Sequence, residues 1–264
     1  MGLAGTYGRV DTTVAKRTLT EAFDCGIRLF DAAPLYGEGL AEELLGVTLA
    51  NKPVTIVTKF GLSAALDGSL VKDSRPLSIR ASIESSLRRM RRERIDILLQ
   101  HRSDPNVPDD DVAEILVRLI EEGKVAHVGL SHASTSRTRR FQALVPIKIV
   151  QNEMSAAAAP KTGEDALSFA NLGTVFMAHS PLARGALTGF VPRHFEADDY
   201  RSKILDLDSQ AQAISIAKSR GVGTGNASLI SEALNWVLAQ GQNVIAVVGA
   251  RTPEQVRKCT LNYP

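Results

Sequence analysis

Apolar runs too short for helices alternate with longer stretches whose apolar residues recur every three or four positions. The first such stretch covers residues 12–26, where Val14, Leu19, Ala22 and Phe23 fall at helical spacing and Gly26 is a suitable stop. Residues 27–30 then read as a strand. The same unit repeats: helix 40–49 and strand 54–58, helix 77–91 and strand 95–99, helix 112–122 and strand 125–130. It continues with helix 134–144 and strand 147–150, then helix 164–172 and strand 174–178. Two helical stretches, 209–220 and 228–240, precede a last strand at 244–248, and Pro253 opens a final short helix at the position where proline is favoured.

Strands alternating with helices predict an α/β fold with a parallel sheet covered by helices. The strands are short and continuously apolar, as expected when both faces are buried. The pattern contains seven of them, one fewer than a closed (β/α)8 barrel has. No linker, low-complexity tract or charge block divides the chain, so residues 1–264 are expected to form a single domain, a length common for one α/β barrel.

The residues that follow each strand add the chemistry. In a barrel, function collects at the C-terminal ends of the strands. There the chain carries Asp31 and Tyr36, Lys59, Gln100 and His101, Ser131 and His132, Gln151 and Asn152, His179 and Ser180, and Gly249 to Arg251. Polar groups after every strand are expected to converge on one mouth.

Composition narrows the function classes. A formal charge of +2 does not fit a dedicated polyanion binder. The basic run 88–94, Arg-Arg-Met-Arg-Arg-Glu-Arg, closes a predicted helix, where positive charge is favourable, so no nucleic-acid partner is expected. Cys25 and Cys259 match neither a metal spacing nor a disulfide framework, which fits a reducing compartment. No leader pattern and no long apolar span occur, so a soluble, cytoplasmic protein without membrane attachment is expected. The glycine-rich run 221–228 follows a helix rather than a strand and fails the context of a phosphate loop. Asp31, His101 and Asp104 hint at a metal-dependent barrel hydrolase, but no clustered ligand set accompanies them, so no metal is expected.

The segments FDAAPLYG, TKFG, LLQHRSDPN, GKVAHVGLSH, VQNEMS, AHSPLARGALTG and VVGARTPEQV together resemble the aldo-keto reductase family, in order and over nearly the whole chain. The resemblance implies a (β/α)8 TIM barrel, here incomplete at the first strand and at the C-terminal helix. It implies a small-molecule carbonyl substrate and NADP(H) as cofactor, with NAD also used by some members. The family's catalytic residues fall on Asp31, Tyr36, Lys59 and His101. Carbonyl reduction needs a hydride on carbon and a proton on oxygen. Tyr36 is the implied proton donor; a free tyrosine has a pKa near 10, which a nearby cation, Lys59, is expected to lower. Asp31 is expected to hold Lys59, and His101 to bond the carbonyl oxygen or share the proton.

By the same resemblance, Ser131, His132 and Gln151 bind the nicotinamide carboxamide, and His179 stacks where the family commonly has an aromatic ring. Ser180, Leu182 and Arg184 belong to the pyrophosphate loop, and Gly249, Arg251 and Gln255 to the adenosine side, with Arg251 near a 2′-phosphate. The family usually has Asn at position 132 and often Arg at 255. Similarity of residues 26–46 to bacterial aldose and fucose dehydrogenases leaves NAD-dependent sugar oxidation as an alternative, and an NADPH-binding barrel of weak activity with a regulatory role as another. Substrate loops near residues 64–76 and 156–161 are small or polar, favouring small or polar carbonyls. Oligomeric state is not readable from the sequence.

Overall fold

A computed structural model describes residues 2–65, 67–158, 166–190 and 195–260. Helix α1 (Thr12–Asp24) is capped by Asp11, whose carboxylate accepts from the amides of Thr13 and Val14. It leads to β1 (Leu29–Asp31), α2 (Leu40–Thr48) and β2 (Thr55–Phe60). A two-residue hairpin, β3 (Ser63–Ala64) and β4 (Leu70–Val71), rises before α3 (Pro76–Met90) and β5 (Ile95–Gln100). Then come α4 (Asp109–Glu121), β6 (Val125–Ser131), α5 (Thr135–Gln142), β7 (Ile147–Glu153), α6 (Ala166–Ala170) and β8 (Val175–His179). Helices α7 (Leu207–Ser219) and α8 (Leu229–Leu238) precede β9 (Val244–Val247) and α9 (Pro253–Thr260).

Seven strands form one parallel sheet in the order β1-β2-β5-β6-β7-β8-β9, curled into a nearly closed barrel. Side chains alternate across its wall as the pleat requires. Ile56 and Leu98 face the helices, while Val57, Ile97, Leu99, Ile149 and Met177 fill the interior. The outer edges of β1 and β9 have no strand partner among the described residues. Outside this seam α1 packs on α9, with Arg257 reaching Glu21 at 2.8 Å.

The predicted strands are all present, but β2, β5, β6, β7 and β8 run on through the polar residues assigned to loops. Lys59 pairs with Leu99, Ser131 with Gln151, and Glu153 with His179. Backbone pairing does not end where polarity begins, because those side chains face the open mouth rather than the helices. The first residues of the predicted helix 164–172, residues 159–161 of the 156–161 loop, and Leu66 of the 64–76 loop lie outside the described residues.

Candidate active site

Asp31 closes β1, and the chain then reverses. Tyr36 donates its amide to the carbonyl of Ala33 at 3.0 Å, and Leu40 to that of Gly37 at 3.0 Å. Gly37, Glu38 and Gly39 all have positive φ, of 62°, 53° and 98°. A Cβ on Gly37 would lie 2.5 Å from the carbonyl oxygen of Ala4, so glycine is required by both conformation and space. The turn sends Tyr36 back toward the barrel axis, where it is buried.

Beneath Tyr36 sits an ion pair. The Lys59 ammonium reaches both oxygens of Asp31 at 2.7 Å and donates to the carbonyl of Ala32 at 2.8 Å. Gln151 Nε2 donates to Asp31 Oδ1 at 2.8 Å, tying β7 to β1 across the interior. Burial lowers the Lys59 pKa, and the pull of Asp31 only partly offsets it. Lys59 Nζ lies 5.1 Å from the centre of the Tyr36 ring, over its face.

His101 continues β5 and stands edge-on to Tyr36, with centroids 5.8 Å apart and planes at 87°. Burial, reinforced by Lys59 and Arg102, pushes its pKa down to about 2, so the imidazole is neutral at ordinary pH. The Tyr36 phenol is raised well above its ordinary value, by burial first and Asp31 second, with Arg102 opposing them. The expected depression of Tyr36 by Lys59 is therefore not what this site shows. Lys59 is engaged by Asp31, and desolvation dominates.

The opposite wall comes from β6, β7 and β8. Asn152 accepts from the amide of Ala133 at 3.1 Å and donates to its carbonyl at 2.9 Å, pinning the turn that carries Ser131 and His132. His132 has φ 53°, and its Nε2 lies 3.0 Å from His179 Nε2. Burial followed by the His132 neighbour holds His179 at a pKa of about 2. Beyond β8, Ser180, Ala183 and Arg184 adopt left-handed backbone with φ 57°, 48° and 55°. Within this loop the amides of Ala183 and Gly185 donate to the carbonyls of Ser180 and Leu182, at 2.9 Å each. Arg184 pairs with Glu153 at 2.7 Å.

At the far rim Arg251 donates to the carbonyl of Arg9 at 2.9 Å, and its buried Nε has no hydrogen-bond partner among the described residues. Gln255 accepts from the Arg251 amide at 2.7 Å through Oε1. The N-terminal segment is clamped here, with Tyr200 N–H donating to Thr6 at 2.9 Å and the Arg201 guanidinium 4.8 Å from the Tyr7 ring centre. A single cavity of about 1500 Å³ runs from this rim through the mouth into the seam between β1 and β9. Every residue singled out in the sequence for catalysis or cofactor binding lines it except Lys59, which lies behind Asp31. A cavity of this volume and a buried arginine nitrogen without a hydrogen-bond partner among the described residues fit a dinucleotide carrying phosphates.

The chain matches the Aldo/keto reductase family model over residues 1–260. It belongs to the aldo/keto reductase family. A probable aldo-keto reductase 1 of Glycine max is 31% identical over 261 residues, covering 94% of this chain and 75% of that protein. The aldo-keto reductase yakc [NADP(+)] of Schizosaccharomyces pombe is 29% identical, covering 95% and 78%. Among solved structures, the glycerol dehydrogenase AKR11B4 from Gluconobacter oxydans superposes with a TM-score of 0.86 at 32% identity, covering 99% of this chain and 84% of that one. In this aldo/keto reductase the barrel described above is thus the family's barrel, and the chain is an oxidoreductase by family.

Sequence reasoning placed Asn152 at the mouth without a specific role, passed over Glu153, and overlooked Arg102, which lines the mouth beside His101. Arg102 carried a signal, since it directly follows a strand-end histidine. Asp104, weighed as a metal ligand, accepts from the amides of Ser74 and Asn106 at 3.0 Å each.

Proposed function

We propose that this chain is an NADPH-dependent reductase of small aldehydes and ketones that also accepts NADH. The observation that carries this is the Tyr36–His101 pair at the cavity floor above the buried Lys59–Asp31–Gln151 network. When bound, the nicotinamide supplies or accepts the hydride at the substrate carbon. Tyr36 delivers the proton to the carbonyl oxygen, so that C=O plus hydride plus proton gives the alcohol. The neutral His101 ring donates one hydrogen bond to the same oxygen and fixes its direction. Asp31 and Lys59 hold the floor beneath Tyr36, with the Lys59 ammonium 5.1 Å from the ring centre. Ser131 and Gln151 Oε1 are the groups left to meet the carboxamide, since Gln151 Nε2 serves Asp31 and His132 Nε2 serves His179. His179 offers a flat face to the ring, the 180–185 loop would hold the pyrophosphate, and Arg251 with Gly249 and Gln255 would line the adenosine end.

The test follows nicotinamide absorbance with NADPH and NADH against aldehydes, ketones and aldoses. Tyr36→Phe should lower kcat by about 10²–10⁴-fold. An undiminished rate in that variant would remove Tyr36 from the reaction. Similarity to a protein titled a glycerol dehydrogenase, and a mouth bearing Glu153, Arg184 and Tyr200, support a second reading in which polyols or sugars are oxidised. Turnover of alcohols with oxidised cofactor exceeding the reverse rate at neutral pH would favour it.

A further inference from the structure

Arg102 is half-buried on the wall of the cavity that holds Tyr36 and His101. Its Nη1 donates to the carbonyl of His101 at 2.7 Å, which anchors the guanidinium beside the reacting groups. That is its one hydrogen bond, and it has no ion pair among the described residues. Its neighbours differ: Arg184 is paired with Glu153 at 2.7 Å and Arg201 with Asp199 at 2.6 Å. A guanidinium has five N–H donors, so most of those of Arg102 face no protein acceptor. Removing a charge from water without a partner is costly, and burial accordingly pushes the Arg102 pKa down. A planar fork of donors at a mouth is the geometry that receives a carboxylate or phosphate in two parallel hydrogen bonds.

We propose that Arg102 selects carbonyl substrates that bear an anionic oxygen group, a carboxylate or a phosphate, a few bonds from the reacting carbon. This rests on the reductase reading given above. The carbonyl oxygen sits between Tyr36 and His101, and the anionic end turns to Arg102, the next residue along the same strand end. Glu153, held by Arg184, also lines the cavity, and its charge disfavours an anion placed beside it.

Matched pairs test the proposal: 4-oxobutanoate against butanal for the carboxylate, and glyceraldehyde 3-phosphate against glyceraldehyde for the phosphate. The wild type should prefer the anionic member in kcat/KM by about tenfold or more, mainly through KM. Arg102→Gln should bring the ratio close to one, and Arg102→Lys should retain part of it. The pair with the larger ratio identifies which anion the site takes. Equal kcat/KM within both pairs for the wild type would overturn the proposal. So would an Arg102→Gln loss equal for charged and neutral members with a moved pH profile, which would assign Arg102 to the acidity of Tyr36. Absence of turnover with every carbonyl would sink the reductase reading instead. In that case calorimetric titration with succinate decides: binding to the wild type that weakens about tenfold in Arg102→Gln supports anion selection, and no binding refutes it.

Discussion

Replacing Lys59 by methionine isolates the buried ion pair from the rest of the site. The Lys59 side chain is fully enclosed, whereas that of Asp31 keeps 12% exposure toward the cavity. Removing one partner of a buried pair costs about 3–5 kcal/mol, because the other charge is left behind. Asp31 retains the Gln151 donor and its exposed edge, which places the loss near about 3 kcal/mol. For a chain of this size that corresponds to a fall in Tm of about 6–12 °C. Adding Asp31→Asn removes the stranded charge and should recover about half of the loss, a coupling typical of residues in contact. The pair also carries a pH signature. The folded-state pKa of Lys59 is depressed below 10.5, so the folded protein releases this proton before the unfolded chain does. Its contribution to stability is therefore lowest, and constant, below the folded value and rises as pH climbs from there toward 10.5. Urea unfolding followed by far-ultraviolet circular dichroism at neutral pH and in alkali measures both effects. A Lys59→Met loss under about 1 kcal/mol, or a double variant as unstable as the sum of its parts, would refute this account of the network.

With His101 at a pKa of about 2, the pH profile of kcat/KM for reduction should show no imidazole step between pH 5 and 8. Tyr36, raised well above 10.0, stays protonated through that range, so the reductive rate should fall only in strong alkali. A break near neutrality that disappears in His101→Asn would contradict this. Gly37→Ala should be strongly destabilising, since its Cβ meets the Ala4 carbonyl at 2.5 Å; thermal melts check it, and a wild-type Tm would show that the turn yields. Asn152→Ala strands the buried amide and carbonyl of Ala133 and should cost about 1–3 kcal/mol, with KM for the cofactor rising as the Ser131–His132 turn loosens. Unchanged cofactor KM would confine Asn152 to stability.

The alternation of helices and strands was legible because each has a different period of burial, and a barrel buries both faces of every strand. Boundaries at the strand ends were less so. Gln100, Ser131, Gln151 and His179 look like loop residues in the sequence, yet they continue the ladder because the mouth is wet. The β3–β4 hairpin escaped notice, since two-residue strands hold no period. Asp31, Tyr36, Lys59 and His101 could be gathered from strand-end position and family order, and the fold brings them together. Their energetics could not be read that way. Whether Lys59 or Arg102 acts on the Tyr36 phenol depends on which cation is already engaged, and that is a property of packing. The His132–His179 contact likewise joins two strands whose registers no local pattern specifies.

Among the described residues the seam between β1 and β9 gives this sheet two ends, where a closed ring would have none. In a ring, every strand is protected on both sides, and fraying has nowhere to begin. Here opening starts at the seam and spreads inward, so amide hydrogen exchange should be graded by distance from it. The three-residue β1 and the four-residue β9 should exchange first, and β5, β6 and β7 last. The α1–α9 contact then acts as an external latch. Loosening it at Arg257 or Glu21 should speed exchange at both edges while leaving the far wall slow. Because Asp31 is the last residue of β1, the floor of the proposed site is attached to the strand expected to exchange first.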